Sequence, residues 1–487
     1  MKTKIQYLSI IIGIGLLFSC AKENFNHDGK GLVTEQQLID LANAFPEAAL
    51  TINLSVENGQ YAFMREYSTN SELTGFRHDD FGQKSIDLGM DLLSNDMVQV
   101  QDHWFGNYYA YRGRTQDFST TSIIWNFYYS IIRNINGIIV QIEPETSDDE
   151  LIHLSARAHA VRAFCYFNLV RVYQYTYDGH LTAPGVPLYN GADINITSRA
   201  TVEEIYDLIF SDLEFAYTNI EGFEASSKEV LSKQVIAGIY ARVLLETGTD
   251  WDLCVDMARE AKTGGSLMSA DEWVNGGFDE ISNSEWMWGA DINSESSTIF
   301  ASFFSHMGSL NPGYAGILGI YKSIDRRLYD AIPDTDFRKL AFDPSYINLK
   351  FADDTFFEGD YVYMRVAEMY LMEAEALARS GNDAAARTAL YDLVSTRDPG
   401  YSLSTNSGQA LIDEILLQRR IELWGEGFAW FDMKRTNTPL VRNYPGTNHV
   451  LFGLKDFEAS ANEFLFQIPQ VELDNNEDIN ASDQNPL

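Results

Sequence analysis

Long stretches of the chain repeat apolar residues at intervals of three and four positions, a spacing that places them on one face of an α-helix. The clearest stretch begins at Ser147-Asp148-Asp149-Glu150, a capping-box sequence, and ends at Tyr175. Its apolar positions are Leu154, Ala158, Val161, Cys165, Leu169 and Val172. The spacing predicts one long amphipathic helix that packs this face into a core.

Similar patterns recur on both sides of a different middle region. A second capping box, Thr201-Val202-Glu203-Glu204, begins the next helical stretch. Further helical stretches occupy residues 231–245, 254–261, 361–380, 384–395 and 410–423. Helices that follow one another in pairs indicate stacked hairpins of the tetratricopeptide type, although the strict repeat signature is absent. The patterns alone predict helix hairpins in one compact body.

The middle region, about residues 264–359, differs from the helical stretches in its sequence pattern. It contains Gly264-Gly265, Gly276-Gly277 and Pro312-Gly313, and its apolar runs are short. One of them, Trp286 to Ala290, is typical of a β-strand. We predict a loop-rich insert with short strands between helical blocks at about 121–263 and 360–435, all within one body spanning 32–487.

The first twenty residues read as an export signal. Lys2 and Lys4 precede an apolar run from Ile10 to Phe18, and Ser19-Cys20 closes it. This run is too short to span a bilayer, which needs about 20 residues. We therefore predict a lipoprotein signal peptide at 1–19 and a tether at 20–31 that carries lipid on Cys20, the only membrane attachment. The alternative is an ordinary secretory signal followed by a chance cysteine.

Composition excludes some partners. The formal charge is −35, and it becomes about −37 without Lys2 and Lys4, so nucleic acids and anionic headgroups are repelled over most of the surface. Hydrophobic residues make up 45% of the chain, enough for a large core. Cys165 and Cys254 fall in helical patterns, which predicts two buried thiols, with a disulfide between them as the alternative.

Aromatic side chains are abundant, at 13% of the chain with 26 Tyr and 8 Trp. The segment 103–112 sets five of them beside an amide and an arginine, and aromatic faces stack on sugar rings while polar groups bind the hydroxyls. A peptide would also suit this mixture, and the alternative for Trp104 and Phe105 is that they plug the core. A second aromatic segment is 303–321 in the insert. The predicted ligand-binding residues are Asp96, Trp104, Asn107, Tyr108, Trp288 and Tyr314.

Catalytic patterns are absent from the sequence. GxSxG, HExxH, GxGxxG and P-loop motifs do not occur, and the eight histidines lack ligand spacing. The dense charges between Arg419 and Arg435 favour a partly buried ion-pair network over acid/base chemistry. Ion pairs within one helix are likewise predicted by the spacings of Arg365, Glu368, Glu373 and Glu375. We predict no catalytic residue, no cofactor and no metal; calcium at Asp353-Asp354 or Asp334-x-Asp336 is the alternative.

Several of these blocks together resemble the SusD/RagB family of outer-membrane nutrient-binding lipoproteins. The similar segments are Trp125 with Tyr128, Tyr129, Ile132 and Asn134; Ala156–Tyr173 with Gly185-Val186-Pro187-Leu188; Ser198–Glu214; Tyr363–Ala376; Arg419–Arg435; and Ile468-Pro469 with Asp483-Gln484-Asn485-Pro486. They run in the family's order over nearly all of the chain that follows the predicted signal.

The resemblance implies an all-α fold of tetratricopeptide-like helix hairpins and a role in nutrient uptake. It implies a lipid-anchored protein facing the exterior of the outer membrane that binds oligosaccharides or polysaccharides. It also implies a partner similar to the SusC family of TonB-dependent transporters, over which such proteins sit as a hinged lid. The alternatives are a peptide-binding protein of the RagB type, a surface glycoside hydrolase, and a helical scaffold without a small ligand.

Overall fold

The computed structural model describes residues 46–142, 146–189, 191 and 197–487. The predicted signal peptide, the predicted tether and Cys20 lie outside these residues. All contacts given below lie within the unit Asn53–Leu487.

Helices dominate the described residues and confirm the predicted all-α class. They are α1 Pro46–Phe63, α2 Ser71–Thr74, α3 Gln83–Leu92, α4 Gly106–Tyr109, α5 Ser119–Gln141, α6 Asp149–Tyr173, α7 Val202–Asn219, α8 Lys233–Thr247, α9 Trp251–Ala261, α10 Ala270–Val274, α11 Phe303–Met307, α12 Arg326–Asp330, α13 Val366–Arg379, α14 Asp383–Arg397, α15 Gln409–Glu422, α16 Ala429–Arg435 and α17 Gln470–Asn475. Among these described helices none is both long and apolar enough to cross a bilayer.

Within the part of the chain that the structure describes, the strands are short and pair only in twos. They are β1 Met97–Gln99, β2 Pro184–Pro187, β3 Arg199–Thr201, β4 Trp286–Ala290, β5 Lys322–Ile324, β6 Tyr361–Arg365, β7 Leu440–Val441 and β8 Asp456–Phe457. Four antiparallel pairs result, β1 with β5, β2 with β3, β4 with β6 and β7 with β8. Two of these pairs join the middle region to other parts of the chain.

Successive helices pack as hairpins. Helix α6 packs against α5 and α7, α8 packs against α9, and α13 packs against α14. Helix α13 also packs against α9, although about a hundred residues separate the two in sequence, and against α15. The helical blocks on both sides of the middle region therefore form one continuous stack.

The caps of two helices test the sequence patterns directly. Thr201 forms the predicted capping box, since its hydroxyl accepts from the Glu204 backbone N–H while Glu204 accepts from the Thr201 backbone N–H. Helix α6, by contrast, begins one residue later than predicted. Its cap is Asp148, whose carboxylate accepts from the backbone N–H groups of Glu150 and Leu151 at 3.0 and 3.4 Å.

The predicted helix at 361–380 is wrong in its first five residues. Residues Tyr361–Arg365 form β6, which is buried at every position and pairs with β4, and helix α13 begins only at Val366. The cause is that a short run of aromatic and branched residues fits a buried strand as well as a helix turn. The predicted strand at Trp286 to Ala290 is confirmed.

A buried network of ion pairs joins the middle region to the helical stack. Glu422, at the end of α15, accepts from Arg365 at 2.7 Å, Arg338 at 3.0 Å and Arg397 at 3.1 Å. Glu285, just before β4, accepts from Arg397 at 2.8 Å and also from Arg365. Each of these side chains is at least 99% buried, so every charge depends on its partners for stabilisation.

A third carboxylate extends the network. Glu426 accepts from Lys350 Nζ at 2.6 Å and from Arg365 Nε at 2.8 Å. Burial alone would raise the pKa of Glu426, but Arg365 and Lys350 outweigh it and lower that pKa to about 2. The ring of Trp273 lies beside the cations, with its centroid 5.3 Å from Arg365 Cζ and 5.1 Å from Lys350 Nζ.

Substitution of Arg365 tests this network. Arg365→Met should lower the free energy of unfolding by about 3–5 kcal/mol, because it leaves the buried carboxylates of Glu285, Glu422 and Glu426 short of a partner. The matched control is Arg326→Met, since Arg326 pairs with Asp330 on the exposed surface at 3.4 Å and its loss should change the free energy by about 0.5 kcal/mol or less. Denaturant unfolding measures both, and equal stability of the two variants would contradict the assignment.

Candidate functional site

Strand pairing brings two distant segments together at the surface. Strands β1 and β5 pair with Gln99 opposite Lys322, and the pairing continues beyond them. The Val100 backbone N–H donates to the Tyr321 carbonyl at 3.2 Å, and the Gln101 side chain donates to the Gly319 carbonyl at 3.1 Å. The segment after β1 therefore runs beside the segment before β5.

The turn after β1 is braced by an ion pair. Arg112 binds both carboxylate oxygens of Asp102, at 2.6 and 2.9 Å. Gly106 permits this closure, since a Cβ atom at that position would lie 2.3 Å from Asp102 Oδ1. The Trp104 carbonyl accepts from the Gln99 side chain at 3.1 Å, which ties the turn to β1. Trp104 is thereby presented at the surface, half-buried.

Seven rings form a connected cluster at this surface, which we call the aromatic surface. Its members are Tyr67, Phe76, His78, His103, Trp104, Phe300 and Tyr314. The His78 and Trp104 rings stack at 5.8 Å with 12° between their planes. Tyr314 contacts His103 at 5.2 Å and Phe300 at 6.4 Å between centroids. Phe76 is 77% exposed and Phe300 is 46% exposed, so the cluster faces solvent.

Hydrogen bonds fix the rings at the centre of the aromatic surface. The Trp104 indole N–H donates to the Tyr314 hydroxyl oxygen at 3.0 Å. The Tyr314 hydroxyl in turn lies 2.8 Å from His78 Nδ1. Burial raises the pKa of Tyr314 and lowers that of His103, so both groups are neutral near pH 7.

The local charge is balanced although the whole chain is strongly acidic. Arg77, whose guanidinium lies 5.2 Å from the Trp104 ring centroid, pairs with Asp79 at 2.8 Å. Arg112 pairs with Asp102 at the edge of the turn. The aromatic surface therefore exposes flat ring faces and a few neutral polar groups. Such a surface suits ligands that bind by stacking and hydrogen bonding.

Two of the predicted ligand-binding residues meet here. Trp104 and Tyr314 are hydrogen-bonded to each other across 210 positions of sequence. Asn107 lies three residues after Trp104 in α4 and is half-buried. The suggestion that Trp104 and Phe105 plug the core holds for Phe105, which is buried, while Trp104 keeps part of its surface in solvent. Roles in binding remain predictions for Trp104, Asn107 and Tyr314.

The other three predicted residues lie elsewhere. Trp288 is 1% exposed on β4, where its indole N–H donates to the Glu229 carbonyl at 3.1 Å. Tyr108 is buried beside Phe105. Asp96 is buried and bonded to Arg420 through both carboxylate oxygens. A ligand on the aromatic surface cannot touch any of these three side chains in the described conformation, since none of them reaches it.

Four rings of the aromatic surface are not among the residues predicted from the sequence, namely Tyr67, Phe76, His78 and Phe300. Three of them fall between residues 67 and 78, in a stretch with a glycine at 75 and without a helical apolar pattern. Aromatic rings in such a stretch are a signal for surface exposure that could have indicated the site. Phe300 gives no comparable signal, because buried Phe303 and Phe304 follow it closely in the same segment.

The acidic and basic residues between 419 and 435 form ion pairs, as predicted. Arg419 bonds to Asp432 at 2.7 Å, and Arg435 bonds to Asp432 and to Glu375. The prediction of pairs within α13 is largely wrong. Glu368 pairs with Arg242, and Glu373 with Arg259 and Lys262, whereas only Glu375 also pairs along its own helix, with Arg379.

Acidic side chains converge at a second place in the middle region. The carboxylates of Asp279, Asp353 and Asp354 come within 4.8 Å of one another. Burial and the two neighbouring acids raise the pKa of Asp279 to about 7. Asp353 accepts from the backbone N–H groups of Thr355 and Phe357, both at 2.7 Å, so a turn already occupies its oxygens.

Two family models match the chain. The model described as the SusD family matches residues 346–487, and one described as starch-binding associating with outer membrane matches residues 83–245. A curated relative, SusD-like protein P38 of Formosa agariphila, is 22% identical over 88% of this chain and 90% of its own.

Solved structures share the fold over nearly the whole chain. A SusD-like carbohydrate binding protein from Bacteroides vulgatus superposes with a TM-score of 0.78 at 26% identity, covering 90% of this chain and 98% of its own. A laminarin binding SusD-like protein superposes with a TM-score of 0.66 at 20% identity, covering 90% of this chain and 99% of its own.

Proposed function

The chain belongs to the SusD/RagB family, and on that basis we propose that it binds glycan oligomers and delivers them to a SusC-like TonB-dependent transporter. In this role it is a lipoprotein of the outer membrane, anchored through Cys20 and facing the exterior. It acts as a hinged lid that captures the ligand and presents it to the barrel, and it catalyses no reaction itself.

The observation that carries glycan binding is the aromatic surface. Trp104 and Tyr314 are held side by side, partly open to solvent, with hydroxyl and imidazole groups between them. Aromatic faces stack on the C–H face of a pyranose ring, while neutral donors and acceptors bind its hydroxyls. The family includes glycan-binding proteins, and two of the similar solved structures are described as binding carbohydrate and laminarin.

A peptide ligand is the second candidate. The loop that carries Tyr314 also exposes aliphatic side chains, with Leu310 80% and Ile317 64% in solvent. Aliphatic side chains do not stack on sugars, but they do pack against apolar side chains of a peptide. A RagB-type ligand would use this part of the loop together with the rings.

Replacement of Trp104 tests the binding site. With wild-type protein, a panel of oligosaccharides and peptides measured by calorimetry should identify a glycan ligand, and Trp104→Ala should weaken its binding by about 1–3 kcal/mol. The matched control is Trp288→Ala in the core, which should instead cost about 3–5 kcal/mol of unfolding free energy while the folded fraction binds normally. Peptides binding in place of glycans would favour the second candidate. Unchanged glycan affinity in Trp104→Ala would contradict the proposed site.

Replacement of Cys20 tests the anchor. Cys20→Ala should abolish palmitate labelling and release the protein from the membrane fraction or leave it as uncleaved precursor, because one residue carries the whole attachment. Cys165→Ala, which removes a buried thiol in α6, serves as the control and should still incorporate palmitate. Incorporation of palmitate into Cys20→Ala would refute the assignment.

Purification from native membranes tests the partner. After gentle detergent solubilisation, the tagged protein should co-purify with a β-barrel transporter of the SusC type, because a stable lid needs an extensive interface. A tagged outer-membrane lipoprotein of another family, solubilised in the same way, controls for nonspecific capture. Repeated recovery of the protein alone would remove the main support for the lid mechanism.

A further inference from the structure

We propose that His78 is a positioning residue of the aromatic surface, which holds Tyr314 and Trp104 in the orientation that receives a ligand. The inference deepens the proposed function, since it rests on ligand binding at this surface. Neither family model covers His78 or Tyr314, because one begins at residue 83 and the other at residue 346. The proposed role of His78 therefore rests on contacts within this chain.

The hydrogen bonds give His78 a defined chemical role. An indole N–H can only donate, so the Tyr314 oxygen must accept from Trp104 in the 3.0 Å bond between them. The Tyr314 hydroxyl proton is then free to point at His78 Nδ1, which lies 2.8 Å away. In the arrangement that we propose, His78 carries its proton on Nε2, so that Nδ1 is the acceptor that ends the chain of hydrogen bonds.

The backbone of His78 is held in place by a buried side chain. His306 Nε2 lies 2.7 Å from the His78 carbonyl oxygen, which can only accept, so His306 is the donor. The fully buried His306 ring also stacks on Tyr314, with 4.7 Å between centroids and 8° between planes. One core residue therefore supports both His78 and Tyr314 from beneath.

The residues on either side of His78 are also held in place by side-chain contacts. Arg77 binds the Asp79 carboxylate through two nitrogens, at 2.9 and 2.8 Å, while its guanidinium lies beside the Trp104 ring. The His78 ring itself stacks on Trp104. His78 thus contacts both rings of the pair, one through its edge nitrogen and the other through its face.

Loss of the acceptor should loosen the two rings without unfolding the protein. A side chain that must be immobilised when the ligand binds lowers the affinity, and for one or two rings we expect about a 3- to 10-fold weaker Kd. The half-buried position of His78 means that the core does not depend on it. The effect should therefore fall on binding and not on the melting temperature.

Three variants separate the acceptor from the ring. His78→Phe keeps a ring but removes Nδ1, and should weaken binding of the ligand found with wild-type protein by about 3- to 10-fold. His78→Asn places an amide oxygen near the position of Nδ1, and should restore most of that loss. Tyr314→Phe removes the hydroxyl, and combining it with His78→Phe should add little, because both act through one chain of bonds. His153→Phe, outside the aromatic surface, is the control for the substitution.

Equal affinities of His78→Phe and wild type would overturn the proposal, and so would equal losses in His78→Phe and His78→Asn. If wild-type protein binds no oligosaccharide or peptide, the proposed function fails, and the Trp104 indole N–H resonance, assigned with Trp104→Phe, still tests this inference. Its hydrogen exchange should be faster in His78→Phe than in His78→Asn, and equal exchange rates in the two would overturn the proposal.

Discussion

The structure depends on the buried carboxylate of Glu422 and the arginines around it. Arg338 belongs to the middle region, whereas Arg365 ends β6 and Arg397 ends α14, and all three arginines contact this one side chain. Transfer of these charges from water to the protein interior costs free energy, so the ion-pair network is stable only when every partner is present. The network therefore makes the loop-rich middle region an integral part of the body, although its own strands are too short to fold alone.

The geometry of the aromatic surface depends on the attachment of the middle region to the rest of the body. Tyr314 stands on a loop of the middle region, and that loop is tied down where the Asn311 amide donates to the Asp353 carbonyl at 2.7 Å. Trp104 comes from the segment after β1, which meets the same region through the pairing with β5. Rings from these two segments keep a constant relative position only if both segments are held by the same rigid body.

Sequence reasoning could predict the helical stack and one half of the site. Amphipathic periodicity locates α6 and α7, because a long pattern of this kind has few alternatives. It fails at Tyr361–Arg365, where all five positions are buried, the charged Arg365 included, so that no alternation of buried and exposed residues reveals the period. Trp104 is predictable because aromatic and polar residues surround it in the sequence. Trp288, which is buried, shows that a local pattern does not reveal which rings are exposed to solvent. His78 lies 236 positions from Tyr314, and only the folded chain brings them into contact.

The separation in sequence between Trp104 and Tyr314 has a consequence for biogenesis. A pair that lies 210 residues apart cannot form until the chain has been synthesised at least as far as Tyr314. Each segment alone carries only some of the rings, so neither forms the complete aromatic surface. Under the proposed function, a chain in which the two segments have not yet met therefore lacks its proposed ligand site, and binding begins only with the folded protein.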